Sequence, residues 1–161
     1  MIWRDGINSD HTEIMSINNG QNQERGIGLV VVTHGSFGEG LLEAAQLILG
    51  PQEGCATVSI GATHGVDGAV ESIKKAVTDT DAGSGTMILT DLFGGTPTTL
   101  SLSLFKSDHL EVIAGVNLPM VIKALQGRTL PLHKLAGDVK AAGQQGIVVA
   151  GEMLRRRKSE G

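Results

Sequence analysis

Apolar residues along this chain fall into short β-branched runs that alternate with stretches of helical spacing. Residues 26–33, GIGLVVVT, form a nearly continuous apolar run, the pattern of a strand buried on both faces. Beyond HGSFGEG, Phe37, Leu41, Ala45, Ile48 and Leu49 recur near a 3.6-residue period. That spacing predicts a helix laid on the sheet and stopped by Gly50-Pro51. Residues 55–62, CATVSIGA, read as a second strand, and Val66, Val70, Ile73 and Val77 mark a second amphipathic helix. A DAGSG loop at 81–85 leads to a third strand, TMILT, at 86–90. After DLFGG, Thr96 and Pro97 suit the N-cap and first position of a third helix running through LSLSLFK, because proline loses no helical bond there. LEVIAG at 110–115 is a fourth strand; Asn117 and Pro119 open a fourth helix, with Gly127 as its C′ residue. HKLAGDVKAAG at 133–143 carries a short helix and GIVVAG at 146–151 a last strand, before the terminal LRRRKSEG.

Strands alternating with helices predict an α/β domain with an open, mostly parallel four-stranded sheet and helices on both faces. The expected strand order is the flavodoxin-like 2-1-3-4, with right-handed crossovers and a last strand near the C-terminus. The whole chain is 161 residues, about one domain's length. Residues 1–26 read as a flexible extension, too poor in apolar groups to offset the entropy of ordering, residues 27–150 as the domain, and residues 151–161 as a basic tail. Thr33-His34-Gly35 and Thr63-His64-Gly65 echo each other after two strands, but two copies make no repeat architecture.

Composition narrows the function. A net charge of −4 offers no general attraction to nucleic acid or anionic lipid. Aromatic residues are only 2%, too few for base-stacking platforms. The single cysteine, Cys55, excludes an internal disulfide and a Cys-rich zinc module, and its place at a strand start suits packing. Glycine, at 23 residues, is about twice its usual share of ~7% and implies tight turns. No apolar run reaches membrane-span length and the first 26 residues hold no signal-peptide block, so a cytoplasmic, reduced protein is expected. The nucleotide-binding GxxxxGK[ST] loop, the GxSxG elbow and HxxxH metal spacing are all absent, and Gly26 and Gly28 precede a strand rather than opening a helix; no cofactor or metal is expected.

In open α/β sheets ligands bind beyond the carboxyl ends of the strands, at the switch point between strands 1 and 3 in this order. That rule brings His34 and Asp91 to opposite sides of one crevice. A histidine with an ordinary pKa of about 6.5 is largely neutral at pH 7 and can act as a nucleophile. A carboxylate that accepts from one ring nitrogen fixes the tautomer and frees the lone pair of the other. Asp91 is the candidate orienter, although it could equally cap a turn. Gly35, Ser36, Gly94, Gly95 and Thr96 lie near two helix starts, where uncovered amides favour phosphate-like anions. Phe37, Leu92 and Phe93 are candidates for an apolar collar that docks a partner, or for core positions. His64 is the rival nucleophile but follows strand 2, off the switch point; His11 lies in the extension, and His109 and His133 read as surface residues.

Three segments taken together, VVVTHGSFGEGLLEAAQLILG, LTDLFGGTP and VIAGVNLPMVIKAL, resemble the EIIA domain of the mannose/fructose/sorbose family of the bacterial sugar phosphotransferase system. The resemblance covers residues 27–150 and implies a phosphocarrier coupled to sugar uptake through a membrane permease. On that resemblance, His34 is phosphorylated by the histidine-phosphorylated carrier HPr and passes the group to a histidine of a separate EIIB subunit, Asp91 hydrogen-bonds His34, and Thr96 helps hold the phosphoryl group. It also implies a parallel sheet of four strands plus a C-terminal edge strand, here residues 146–150, and a homodimer that exchanges that strand. The alternatives are a regulatory EIIA-like module, the phosphotransferase subunit of a dihydroxyacetone kinase, which tends to have serine where this chain has Gly35, and a small-anion binder without covalent chemistry.

Overall fold

The computed structural model describes residues 26–61, 65–105 and 108–159. The readings made for residues 1–25, His11 included, and for Thr63 and His64 lie outside the described residues. Four strands form one parallel sheet: β1 (Gly28–His34), β2 (Cys55–Ile60), β3 (Thr86–Thr90) and β4 (Leu110–Ala114), in the order β2-β1-β3-β4. This is the order that the sequence predicts. Helices α1 (Phe37–Leu49), α2 (Val66–Thr80), α3 (Thr96–Ser103), α4 (Leu118–Gln126), α5 (Leu132–Gln145) and α6 (Ala150–Ser159) complete the described elements.

The period of two along a strand explains why β1 is apolar throughout. Leu29 and Val31 point to one face, with Met87 and Leu89 of β3, and meet Ala45 of α1, Val121 of α4 and Leu135 and Val139 of α5. Val30 and Val32 point to the other, with Ile88, and meet Ala69, Ile73 and Ala76 of α2 and Leu100 of α3. The central strands are thereby sealed on both sides. Asn117 caps α4 as expected, its side chain accepting from the Met120 amide at 3.2 Å.

Several local expectations need correction. On α1 the buried centre is Gly38 and Ala45, whereas Phe37 and Ile48 are 51% and 59% exposed. The cause is close approach: a Cβ at Gly38 would lie 3.0 Å from Val31 Cγ1 and 3.1 Å from Thr33 Oγ1, so the backbone of α1 takes the space that a side chain would need. Thr96 does not cap α3; Gly95 does, and Thr96 and Pro97 become the first two helical residues. Gly127 is not left-handed, with φ −100°; its lack of a side chain makes room for Leu135 instead. The short helix expected at 133–143 is the longer α5.

The C-terminal edge strand at 146–150 is not formed among the described residues. Residues 147–149 belong to no ladder, and α6 begins at Ala150. Three residues reach at most ~10 Å, too short to follow the five-residue edge of β4 before the helix starts. Ile147, Val148 and Val149 are left 77%, 57% and 60% exposed.

The amino-terminal end of the sheet is held by one side chain. Arg128 donates from Nε to the Ile27 carbonyl at 2.6 Å, from Nη2 to Gly54 at 2.9 Å, and from Nη1 to Glu53. It thus ties the entries of β1 and β2 to the α4–α5 loop. Arg128→Met keeps the stem but removes all three bonds, leaving the Gly54 carbonyl with the Leu29 amide alone. The expected loss is about 2–4 kcal/mol, read as a lower urea midpoint at unchanged slope.

Candidate functional site

β1 ends in His34, and the residue after β3 is Asp91. From here β1 turns into α1 on one face of the sheet while β3 turns into α3 on the other, so the two loops part and leave a crevice. Beside His34, on the face of the sheet covered by α2 and α3, lies a cleft of about 340 Å³ lined by His34, Ile60, Gly61, Val66, Ala69, Thr96 and Leu100.

One carboxylate oxygen organises the pair. Asp91 Oδ2 accepts from the His34 backbone amide at 2.8 Å and lies 2.8 Å from His34 Nδ1. Gripping both the main chain and the ring of one residue fixes the imidazole rotamer. The His34 side chain is 51% exposed and that of Asp91 only 15%. Burial pushes the Asp91 carboxyl up, but the hydrogen bonds from the His34 amide and ring, the charge of that ring, and the nearby Leu92 amide outweigh it, and the pKa lies below the ordinary carboxylate value. An ionised carboxylate only accepts, so Nδ1 carries the proton and Nε2 the free lone pair. Asp91 Oδ1 is buried and has no hydrogen-bond partner among the described residues.

The loops around the pair are built for close approach. Gly35 turns the chain after His34 at φ +54°, and the Gly38 amide donates to Thr33 Oγ1 at 2.8 Å, closing the turn. A Cβ on Gly95 would stand 3.1 Å from His34 Cε1, so a glycine there lets the start of α3 approach the ring. Of the candidate cradle amides, that of Gly35 is committed to the Ile60 carbonyl at 3.0 Å and that of Gly95 to Leu92 at 3.1 Å. The first bond of α3 runs from Thr99 to Gly95, which leaves the amides of Thr96 and Thr98 without intrahelical acceptors. The positive end of the α3 dipole adds to them. Ser36 is exposed and makes no capping bond, and Gly94, at φ +79°, is exposed too.

Phe37, Leu92 and Phe93 are 51%, 61% and 79% exposed, so none of them is core. His133 is exposed, and His109 lies at the opposite end of the sheet, its carbonyl taking the Thr86 amide. Cys55 packs half-buried, with burial pushing its thiol up. Sequence reasoning missed Thr98, which is 2% exposed. Its hydroxyl donates to the Leu92 carbonyl at 2.7 Å and lies 2.6 Å from that of Thr90. A threonine in a helix's first turn carries no sequence signal for this role.

Comparison with known proteins decides the family. The description "PTS system fructose IIA component" matches residues 28–142. This chain belongs to the EIIA family of the sugar phosphotransferase system, in its mannose branch. It is 30% identical to the fructose-specific EIIA component of Bacillus subtilis (strain 168) over 135 residues, which are 83% of this chain and 92% of that one. It is 33% identical to the mannose-specific EIIAB component of Escherichia coli (strain K12) over 103 residues, 63% of this chain but only 32% of that longer one. Among solved structures, the phosphotransferase system component EIIA of Streptococcus agalactiae superposes with a TM-score of 0.71 at 30% identity, covering 78% of this chain and 98% of that one. The mannose/sorbose-specific IIA subunit of Enterococcus faecalis gives 0.70 at 29% identity, covering 77% and 94%.

The depressed Asp91 pKa makes this EIIA's stability pH-dependent in one direction. Between the folded pKa and the unfolded value of about 3.9, the unfolded chain holds more protons, so stability falls as pH falls through that window. Urea titrations between about pH 5 and pH 3 are expected to give a steeper loss for the wild type than for Asp91→Asn.

Proposed function

We propose that this chain is a phosphocarrier in which His34 accepts a phosphoryl group from a histidine of an HPr-like protein and passes it to a histidine of a separate EIIB subunit, coupled to sugar uptake through a permease. The observation that carries the reading is the double grip of Asp91 Oδ2 on His34. With Nδ1 protonated, the Nε2 lone pair attacks phosphorus in the donor's phosphoimidazolium. The donor's N–P bond breaks as the new one forms, the donor leaves as neutral imidazole, and the positive charge moves to the His34 ring. Asp91 stabilises that charge at Nδ1–H. The Thr96 amide, free at the start of α3, and the Thr96 hydroxyl, both at the cleft wall, meet the phosphoryl oxygens. The amides of Gly35 and Gly95 are already committed, so neither glycine serves as a donor: Gly35 supplies the positive-φ turn after His34, and Gly95 lets the start of α3 approach the ring. Ser36 and Gly94 line the approach, and exposed Phe37, Leu92 and Phe93 supply the docking collar. Such chemistry rests on positioning and electrostatics. Among the described residues no helix is long and apolar enough to cross a membrane.

Incubation with phosphoenolpyruvate, Enzyme I and HPr is expected to label the wild type and His64→Ala but not His34→Ala. The label should be acid-labile and base-stable, and an acid-stable label would move the site to serine or threonine. Asp91→Asn should slow labelling about 10²-fold.

The exposed apolar triple at 147–149 and the outer edge of β4 support a homodimer joined through this segment. Sedimentation is expected to give a dimer for the wild type and a monomer for Val148→Asp; a monomeric wild type refutes the dimer.

A further inference from the structure

Asp91 can hold His34 only as firmly as its own loop is held. Residues 90–95 carry two carbonyl anchors. At the strand end, the Thr90 carbonyl takes the amides of Gly115 and Val116, both at 2.9 Å. At the helix end, the Leu92 carbonyl takes the Gly95 amide at 3.1 Å and the Thr98 hydroxyl at 2.7 Å. The second of these has a defined direction. A hydroxyl has one proton, and that of Thr98 is spent on Leu92, so at the 2.6 Å contact between the two hydroxyls Thr90 donates and Thr98 accepts. Thr90 is fully buried and Thr98 is 2% exposed. The result is a short relay from the Thr90 hydroxyl through Thr98 to Leu92, sealed from water, in which each bond polarises the next. It ends on the carbonyl of the residue after Asp91, whose Oδ1 has no hydrogen-bond partner among the described residues.

We propose that Thr98 is a positioning residue for His34: through the Leu92 carbonyl it sets the Asp91 loop so that Oδ2 faces both the amide and the ring, and thereby fixes the imidazole tautomer. Valine has the shape of threonine without the hydroxyl. In Thr98→Val the Leu92 carbonyl keeps only the Gly95 amide, the Thr90 hydroxyl is orphaned, and the loop has one anchor fewer. Thr90→Val is the milder variant, because it shortens the relay and leaves the Thr98–Leu92 bond intact.

This inference rests on the phosphocarrier reading only for its rate arm; the tautomer arm is measured on the unmodified protein. Ring ¹⁵N shifts of His34, taken near pH 8.5 and so above the ordinary imidazole range, give the ratio of Nδ1–H to Nε2–H forms. The wild type is expected to be almost wholly Nδ1–H. Thr98→Val should raise the Nε2–H share several-fold and slow phosphorylation by phospho-HPr about tenfold, the scale on which a small misplacement of an oriented group acts. Thr98→Ser, which keeps the hydroxyl, should restore both, and Thr90→Val should fall between. Thr80→Val is the comparison for generic loss of a buried hydroxyl: Thr80 donates to the Ala76 carbonyl at 2.8 Å at the far end of the sheet, and its removal should leave the tautomer ratio unchanged. A wild-type tautomer ratio in both Thr98→Val and Thr90→Val, or a shift in Thr80→Val equal to theirs, overturns the proposal. Loss of labelling at His34 in the wild type would overturn the phosphocarrier reading and leave the tautomer result standing.

Discussion

A single carboxylate oxygen, Asp91 Oδ2, takes both the backbone amide and the ring Nδ1 of His34. The rest of the site depends on that arrangement. An imidazole at the end of a strand has two free torsions and two tautomers. A partner that bonds only to the ring would fix one torsion loosely. A partner that also bonds to the amide of the same residue closes a small ring of contacts, and the imidazole has one orientation left. The amide is available because β1 runs past the end of β3: Val32 pairs with Thr90, and beyond that register the next amide on this side has no strand to meet.

The sheet supplies the two positions and the glycines supply the clearance. Parallel strands with short turns bring the carboxyl ends of β1 and β3 together, while helices on opposite faces pull the following chains apart. Side chains at Gly38 or Gly95 would push α1 off β1 and α3 off the imidazole. Glycine abundance in this chain is therefore partly a matter of backbone reaching side chains, and only partly of left-handed turns such as that at Gly35.

The sheet was legible because its signal is local and periodic: four β-branched runs, each followed by a stop and a helical spacing. His34 and Asp91 were legible through a rule about strand ends, which needs no contact to be known in advance. The Thr90–Thr98 relay was not. Thr90 reads as one more β-branched residue of a buried strand and Thr98 as one more residue of a helix start, and only the closed 91–95 turn brings their hydroxyls together. The last segment misled for the opposite reason. Ile147, Val148 and Val149 have strand composition, but a strand is defined by a neighbour, and composition cannot say whether the free edge of β4 is within reach. The spacing of large residues puts Phe37 and Ile48 toward the sheet, whereas the face of α1 that meets it is set by the absence of a side chain at Gly38.

On the proposed reading, a carrier has to release what it binds, and the composition of the cleft suits that demand. None of the described residues lining it is lysine or arginine. A guanidinium there would grip a phosphoryl group bidentately and favour the loaded state over both partners. One amide at a helix start and one threonine hydroxyl provide partial charges instead, worth less each and fixed in place before the group arrives. The full negative charge of the site is kept on the far side of the ring, on Asp91, where it stabilises the cationic phosphoimidazolium without touching the phosphoryl oxygens it would repel. On that reading, separating these roles across one imidazole leaves no cationic side chain among the described lining residues to hold the phosphoryl group, so its release to a partner breaks no ion pair there.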